Sequence, residues 1–259
     1  MQRRKFMQTA GILASVPLLN KAAASASPHA PAAKAKEIYE WRIYTLESEN
    51  HTLDDFYKEI LIPAYNRKGV QVGAFAPYKK EEAVKRYYLF IYPDLATFQN
   101  VKRELWNDDA FMQAARPFYD ETAETPAYSL FDTYLAEAFD KIPHWRKPDK
   151  SRTLFEFRHY KSPNEEANRR KVKMFNVDEI DIFDKTGINS VCYGDLLAGP
   201  RMPSLIYLTW YKDEPTRNEA WKKFVDHPDW NRIKALPEYA HTATDNKSHL
   251  LSPRPYSQI

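Results

Sequence analysis

Tyr39-Glu40-Trp41-Arg42-Ile43-Tyr44 returns 116 positions later as Phe155-Glu156-Phe157-Arg158-His159-Tyr160. Each stretch alternates residue by residue, the period-two signal of a half-buried strand. Two further matches follow in the same order. Gly69-Val70 through Phe75 is answered by Gly187-Ile188 through Tyr193 at an offset of 118, and Asp108-Asp109-Ala110-Phe111 by His227-Pro228-Asp229-Trp230 at 119. Ordered matches with a slowly drifting offset describe an internal duplication with small insertions.

Each copy reads as βαββαβ. After the opening strand, Leu53, Phe56, Tyr57, Ile60 and Leu61 recur at helical spacing, with Asn50 and Thr52 as capping candidates. In the second copy Pro163 opens a polar helix in which Val172, Phe175, Ile180, Ile182 and Phe183 keep the period only loosely. Two strands follow in each copy, Val70 to Pro77 with Arg86 to Tyr92, and Ile188 to Leu197 with Ser204 to Tyr211. A second helix begins after Pro93-Asp94 and after Asp213-Glu214-Pro215, where an acidic cap and an early Pro are favoured. The last strands are expected at Tyr128 to Leu135 and around Ser248 to Leu251. The fold class is therefore α+β, with two ferredoxin-like units. A sheet with both helices on one face leaves the other face bare, and a second copy is its natural cover, so the units are expected to pack sheet to sheet as a fused dimeric α/β barrel. The domains are placed at residues 37–142 and 152–259, joined by a linker at 143–151.

The N-terminus determines which residues remain in the mature protein. Arg3-Arg4-Lys5-Phe6 precedes a short apolar stretch, Thr9 to Leu19, and small residues suited to cleavage between Ala22 and Ala26, the pattern of a twin-arginine export signal over residues 1–26. Residues 27–36, rich in Ala, Pro and Lys, read as a flexible leader. Cleavage would remove four basic and no acidic residues and take the formal charge from +3 to −1, so the basic pI belongs largely to the signal. No clustered basic face suggests nucleic acid, and no later segment is apolar enough to anchor the chain. The expected location is periplasmic or secreted, and self-association is left open.

Strand alternation selects the candidate site. Tyr39, Trp41 and Ile43 share a strongly apolar side, expected against the helices. Glu40, Arg42 and Tyr44 share the other, as do Glu156, Arg158 and Tyr160, and these six are expected to line a cavity between the two sheets. Two readings stay open. The carboxylates and guanidiniums form ion pairs that close the sheets, or the guanidiniums grip an anionic or carbonyl ligand while Glu or Tyr exchanges a proton.

Other chemistry is weakly signalled. The histidines show no zinc spacing and no axial-ligand pattern for haem, so no metal and no cofactor is assigned. His227 reads as a capping group. The only cysteine, Cys192, lies among apolar strand residues and reads as packed rather than nucleophilic. No serine elbow or phosphate-binding glycine loop occurs among the six glycines.

The Glu-x-Arg-x-Tyr strand, the Gly-Val-x-Val-Gly-Ala-Phe strand, the Tyr-Tyr-Leu-Phe-Ile-Tyr strand running into Leu95-Ala96, and the His227-Pro228-Asp229-Trp230 turn resemble NIPSNAP domains, twice over. The resemblance implies the dimeric α/β barrel fold and little about reaction, because related barrels include cofactor-free monooxygenases, haem-handling enzymes and plain binding proteins. The favoured expectation is an exported protein binding a small anionic or aromatic molecule. An oxygenase or isomerase using the Glu, Arg and Tyr row, and a non-catalytic interaction module, are the alternatives.

Overall fold

The alternating stretches form strands β1 (Ile38–Leu46) and β5 (Leu154–Lys161). The computed structural model describes residues 35–79, 84–121, 124 and 126–259. The expected signal peptide, and the expected leader apart from its last two residues, lie outside the described residues. With β2 (Gln71–Pro77), β3 (Val84–Tyr92), β4 (Leu130–Ala138), β6 (Asn189–Ala198), β7 (Ser204–Tyr211) and β8 (Asp245–Pro253), they close one antiparallel barrel in the order β1-β3-β2-β8-β5-β7-β6-β4. Each half contributes four strands in the same internal order, β4-β1-β3-β2 and β8-β5-β7-β6. The halves meet along two seams, β2 with β8 and β4 with β6.

Closure removes every sheet edge, and an interior of eight strands is just wide enough for side chains to fill. Trp41 and Phe157, one from each half, sit with ring centroids 4.4 Å apart. Phe75 packs against Phe155 at 4.9 Å. Tyr39, Tyr87 and Cys192 join the same buried cluster, so the thiol is packed as expected. The interior is therefore made of the residues expected to meet the helices, which inverts the expected faces. Tyr44 packs instead with Leu53, Tyr57 and Leu61 from the helical side of its half, and Tyr160 with Met174, Phe175 and Phe183 from its own. Both faces of each half-sheet are buried, one by the opposite barrel wall and one by helices. Apolarity alone therefore could not rank them. The sealed interior takes uncharged rings, whereas the helical side offers charged partners.

Helices cover the outer faces. The first of each half is interrupted at the same place. α1 (Thr52–Phe56) passes through a π-helical turn (Tyr57–Leu61) into α2 (Ile62–Asn66), and α5 (Glu165–Met174) through Phe175–Glu179 into α6 (Ile180–Thr186). In the second half the wider turn adds a residue to the ladder, and the apolar spacing loosens around Phe175. Neither Asn50 nor Thr52 caps α1. His51 is its N-cap, without a side-chain bond, and Asn50 donates to the Ser48 and Ala127 carbonyls instead. The N-cap of α5 is Asn164, accepting from the Ala167 amide. Of the later helices, α3 (Leu95–Trp106), α7 (Glu214–Asp226) and α8 (Pro228–Ile233) start as expected, and α4 (Asp109–Tyr119) is an additional helix capped by Asp108. Asp94 and Asp213 accept from the Thr97 and Thr216 amides, and His227 Nδ1 from the Asp229 amide.

The chain end reinforces one seam. Arg254 and Gln258 donate backbone N–H groups to the Ala74 and Val72 carbonyls of β2, and Ile259 is buried in the barrel interior. Buried Asp54 collects Arg86, Tyr88, Arg254 and Tyr256, tying that terminal segment to the first half.

At the other seam Gly194 lies opposite Ala138, and a Cβ there would stand 2.6 Å from the Ala136 Cβ. Gly194→Ala is expected to lower stability by about 1–3 kcal/mol, read as a fall in the urea midpoint at unchanged m-value. An unchanged midpoint would mean that the seam is loosely packed.

Candidate ligand-binding site

The row expected between the sheets faces the helices in both halves, and the two copies differ there. In the first half Arg42 Nε donates to Glu40 Oε1 at 2.7 Å, and Nη2 donates to Oε2 at 3.0 Å and to the Tyr65 hydroxyl at 3.3 Å. Tyr92 donates its hydroxyl to Glu40 Oε2. The guanidinium lies 4.2 Å from the Phe90 ring centroid, a cation–π distance. The ion-pair reading is thus realised within each strand rather than across sheets. It leaves the row open to space on one side.

That space is a cavity of about 590 Å³, within the range of small-molecule sites. Glu40, Arg42 and Tyr44 form its floor on the sheet, Phe98, Lys102 and Trp106 of α3 one wall, and Phe118 and Tyr119 of α4 another. Trp106, Tyr119 and Phe131 are exposed at its rim, with Trp106 stacked on Tyr119 at 5.3 Å. Lys102 is exposed and has no ion-pair partner among the described residues.

The electrostatics favour donors over bases. Burial pulls Arg42 down, but Glu40, Tyr57 and Tyr65 more than offset it and its pKa stands well above the ordinary arginine range. Burial pushes Tyr44, Tyr57 and Tyr92 up, for Tyr92 with help from the Glu40 charge. These phenols stay neutral at physiological pH, with Tyr57 donating to Tyr44 at 2.9 Å.

In the second half the same row is sealed. Glu156 is fully buried and accepts from Arg158 (2.7 Å), twice from Arg217 (2.8 and 2.7 Å), from the Trp221 indole (2.8 Å) and from Ser248 (2.6 Å). Trp221 also lies on Arg158, 4.3 Å from guanidinium carbon to ring centroid. Of the six expected ligand-binding residues, three therefore line a cavity. Glu156, Arg158 and Tyr160 belong to a packed cluster. Burial raises the Glu156 pKa, but Arg217, Arg158 and Ser248 outweigh it and the net shift is downward.

The interior face carries a buried imidazole beside the row. His159 hydrogen-bonds Ser204 at 2.9 Å, and burial, with Arg201 and His249 nearby, pushes it down to about 4. Among the described residues no group of three His, Cys, Asp or Glu is placed to hold a metal ion.

The helical walls were missed in the sequence. Their signal was the 119-residue offset fixed by the caps Asp94 and Asp213, which aligns Phe98 with Arg217 and Lys102 with Trp221.

Residues 155–258 match the NIPSNAP family. No curated protein matches the chain. Among solved structures, a candidate monooxygenase of Fusobacterium nucleatum is 13% identical, with 85% of this chain and 93% of that one covered and a TM-score of 0.54. A candidate monooxygenase of Lactobacillus acidophilus is 9% identical, with 84% and 94% covered and a TM-score of 0.55. A NIPSNAP family protein of unknown function from Agrobacterium tumefaciens is 16% identical over 43% of this chain and 96% of its own, with a TM-score of 0.38. By the family match residues 155–258 are similar to a NIPSNAP domain, and the whole is an α+β closed-barrel fold resembling the dimeric α/β barrel proteins.

Glu156 ties its cluster's stability to pH. A carboxylate whose folded pKa is depressed stabilises the fold above its unfolded pKa, and this contribution is lost as pH falls through the folded value. Glu156→Gln leaves Arg158 and Arg217 without their anion and is expected to cost about 3–5 kcal/mol at neutral pH. The gap from the parent protein should narrow on acidification through the range below an ordinary glutamate pKa. Urea titrations across pH measure this, and a pH-independent gap would contradict the assignment.

Proposed function

We propose that the protein is exported and, in its mature form, binds a small anionic aromatic molecule in the cavity between the first half-sheet and helices α3 and α4. The observation that carries this is the asymmetry of the repeated row. One copy is packed shut, while the other floors an aromatic-walled space with Lys102, a cation that has no ion-pair partner among the described residues, at its edge. An aromatic ligand would gain from stacking on Trp106, Tyr119 or Phe131, and an acidic substituent from Lys102. Export rests on the Arg3-Arg4 signal. Among the described residues no helix is long and apolar enough to cross a membrane.

The same reading treats the first half as a diverged copy of the NIPSNAP domain, each half a ferredoxin-like unit. Shared strand order, the π-helical turns at one offset and the matching helix caps support it. The ring-filled barrel interior is what an interaction module without a ligand between its sheets would show. Binding therefore rests on the helix-side cavity alone. An oxygenase would use that cavity too, and the likeness to two candidate monooxygenases supports this at the level of fold. The groups at hand offer a positive charge and neutral phenols, with Glu40 already accepting from Arg42 and Tyr92. Such a site orients and polarises a substrate better than it removes a proton.

Calorimetric titration with 2-naphthoate tests the proposal. Saturable binding at one site per chain is expected, weakened about three- to tenfold by Lys102→Ala, as for loss of one partly exposed charge contact. Absence of binding by any aromatic acid up to its solubility limit would overturn it.

A further inference from the structure

Trp221 shows what the open cavity is shaped to receive. The caps Asp94 and Asp213 align α3 with α7, so Lys102 is the counterpart of Trp221, Phe98 of Arg217 and Leu105 of Phe224. The π-helical turns and the left-handed glycines Gly69 and Gly187 align Tyr65 with Phe183. Trp221 touches Glu156 (2.8 Å), Arg158 (4.3 Å), Phe183 (5.6 Å between centroids) and Phe224 (5.6 Å). Their counterparts Glu40, Arg42, Tyr65 and Leu105 all line the first-half cavity. The indole of the second half thus fills the position that the first half leaves empty.

The hydrogen-bond balance points the same way. Glu156 accepts five hydrogen bonds, Glu40 three. A carboxylate offers about four acceptor positions, some of which can be shared. Oε1 of Glu40 receives only Arg42 Nε, so it retains room for a donor arriving from the cavity.

We propose that the ligand is a planar aromatic hydrogen-bond donor, a phenol or an indole-type N–H heterocycle, that donates to Glu40 where the Trp221 indole donates to Glu156. This rests on the binding reading above and names the chemistry it selects. Any acidic substituent lies toward Lys102, and the O–H or N–H points inward. Glu40 is then the specificity-determining residue. A ring with only acceptors at that position would leave the carboxylate unmatched and meet repulsion.

The wild-type protein tests this with two probes of one skeleton, 2-naphthol and 2-methoxynaphthalene, which differ in whether the oxygen carries a donor. The expected result is binding at least about tenfold tighter for the naphthol, the scale of one hydrogen bond to a charged group, with the preference reduced in Glu40→Gln. Equal affinities would overturn the donor assignment while leaving the cavity a binding site. If neither probe nor 2-naphthoate binds, the binding reading falls with it. Two variants probe the internal mimicry. Lys102→Trp is expected to fill the first cavity and abolish naphthol binding, and Trp221→Ala to create a second site and raise indole stoichiometry from one to two. A Lys102→Trp protein that is folded by circular dichroism yet binds naphthol unchanged would refute the equivalence. The comparison of the two naphthalenes needs no variant and decides the proposal even if Trp221→Ala does not fold.

Discussion

Closure of the barrel constrains everything outside it. Once β2 meets β8 and β4 meets β6, the interior is an enclosed space of fixed width, and rings from both halves fill it. Trp41 and Phe157 meet inside it. Strand alternation then has no freedom left. With Trp41 and Phe157 inward, Glu40, Arg42 and Tyr44, and Glu156, Arg158 and Tyr160, must face the helices. Any site built from the charged row therefore lies between sheet and helix, once per half.

What happens at those two places is decided by a few side chains on one helix of each half. Arg217 and Trp221 reach down from α7 and, with Arg158 and Ser248, saturate the buried Glu156 carboxylate. Phe98 and Lys102 on α3 do not reach Glu40. Tyr92 takes over part of that role from the sheet, and the remaining volume stays open to ligand-sized molecules. Different side chains at two helical positions are enough to seal one copy of the row and to leave a cavity over the other. The same backbone serves both, as the paired π-helical turns show.

Much of this was legible in the sequence. The succession of strands and helices, the acidic caps Asp94 and Asp213, the packed cysteine and the local role of His227 follow from short-range signals, periodicity, caps and spacing. The facing of β1 and β5 did not, because an alternating strand declares two faces without saying which burial partner each will meet. Trp41 looks like a helix-facing residue until closure demands a ring inside. The loosened period around Phe175 reported the π-helical turn, but spacing alone did not separate it from a weak helix. The cavity walls were hidden for another reason. Phe98, Lys102 and Trp106 are ordinary helix residues until α3 is laid beside α7, when the exchange of Trp221 for Lys102 becomes visible.

On the binding proposal, the first copy of the row takes an aromatic ligand where the second holds the protein's own indole. Crystals soaked in 4-bromophenol and measured at the bromine absorption edge test it most directly. The expected result is one anomalous peak per chain, between β1 and α3, with the phenol oxygen near Glu40. A peak inside the barrel, or equal peaks over Glu40 and Glu156, would contradict it.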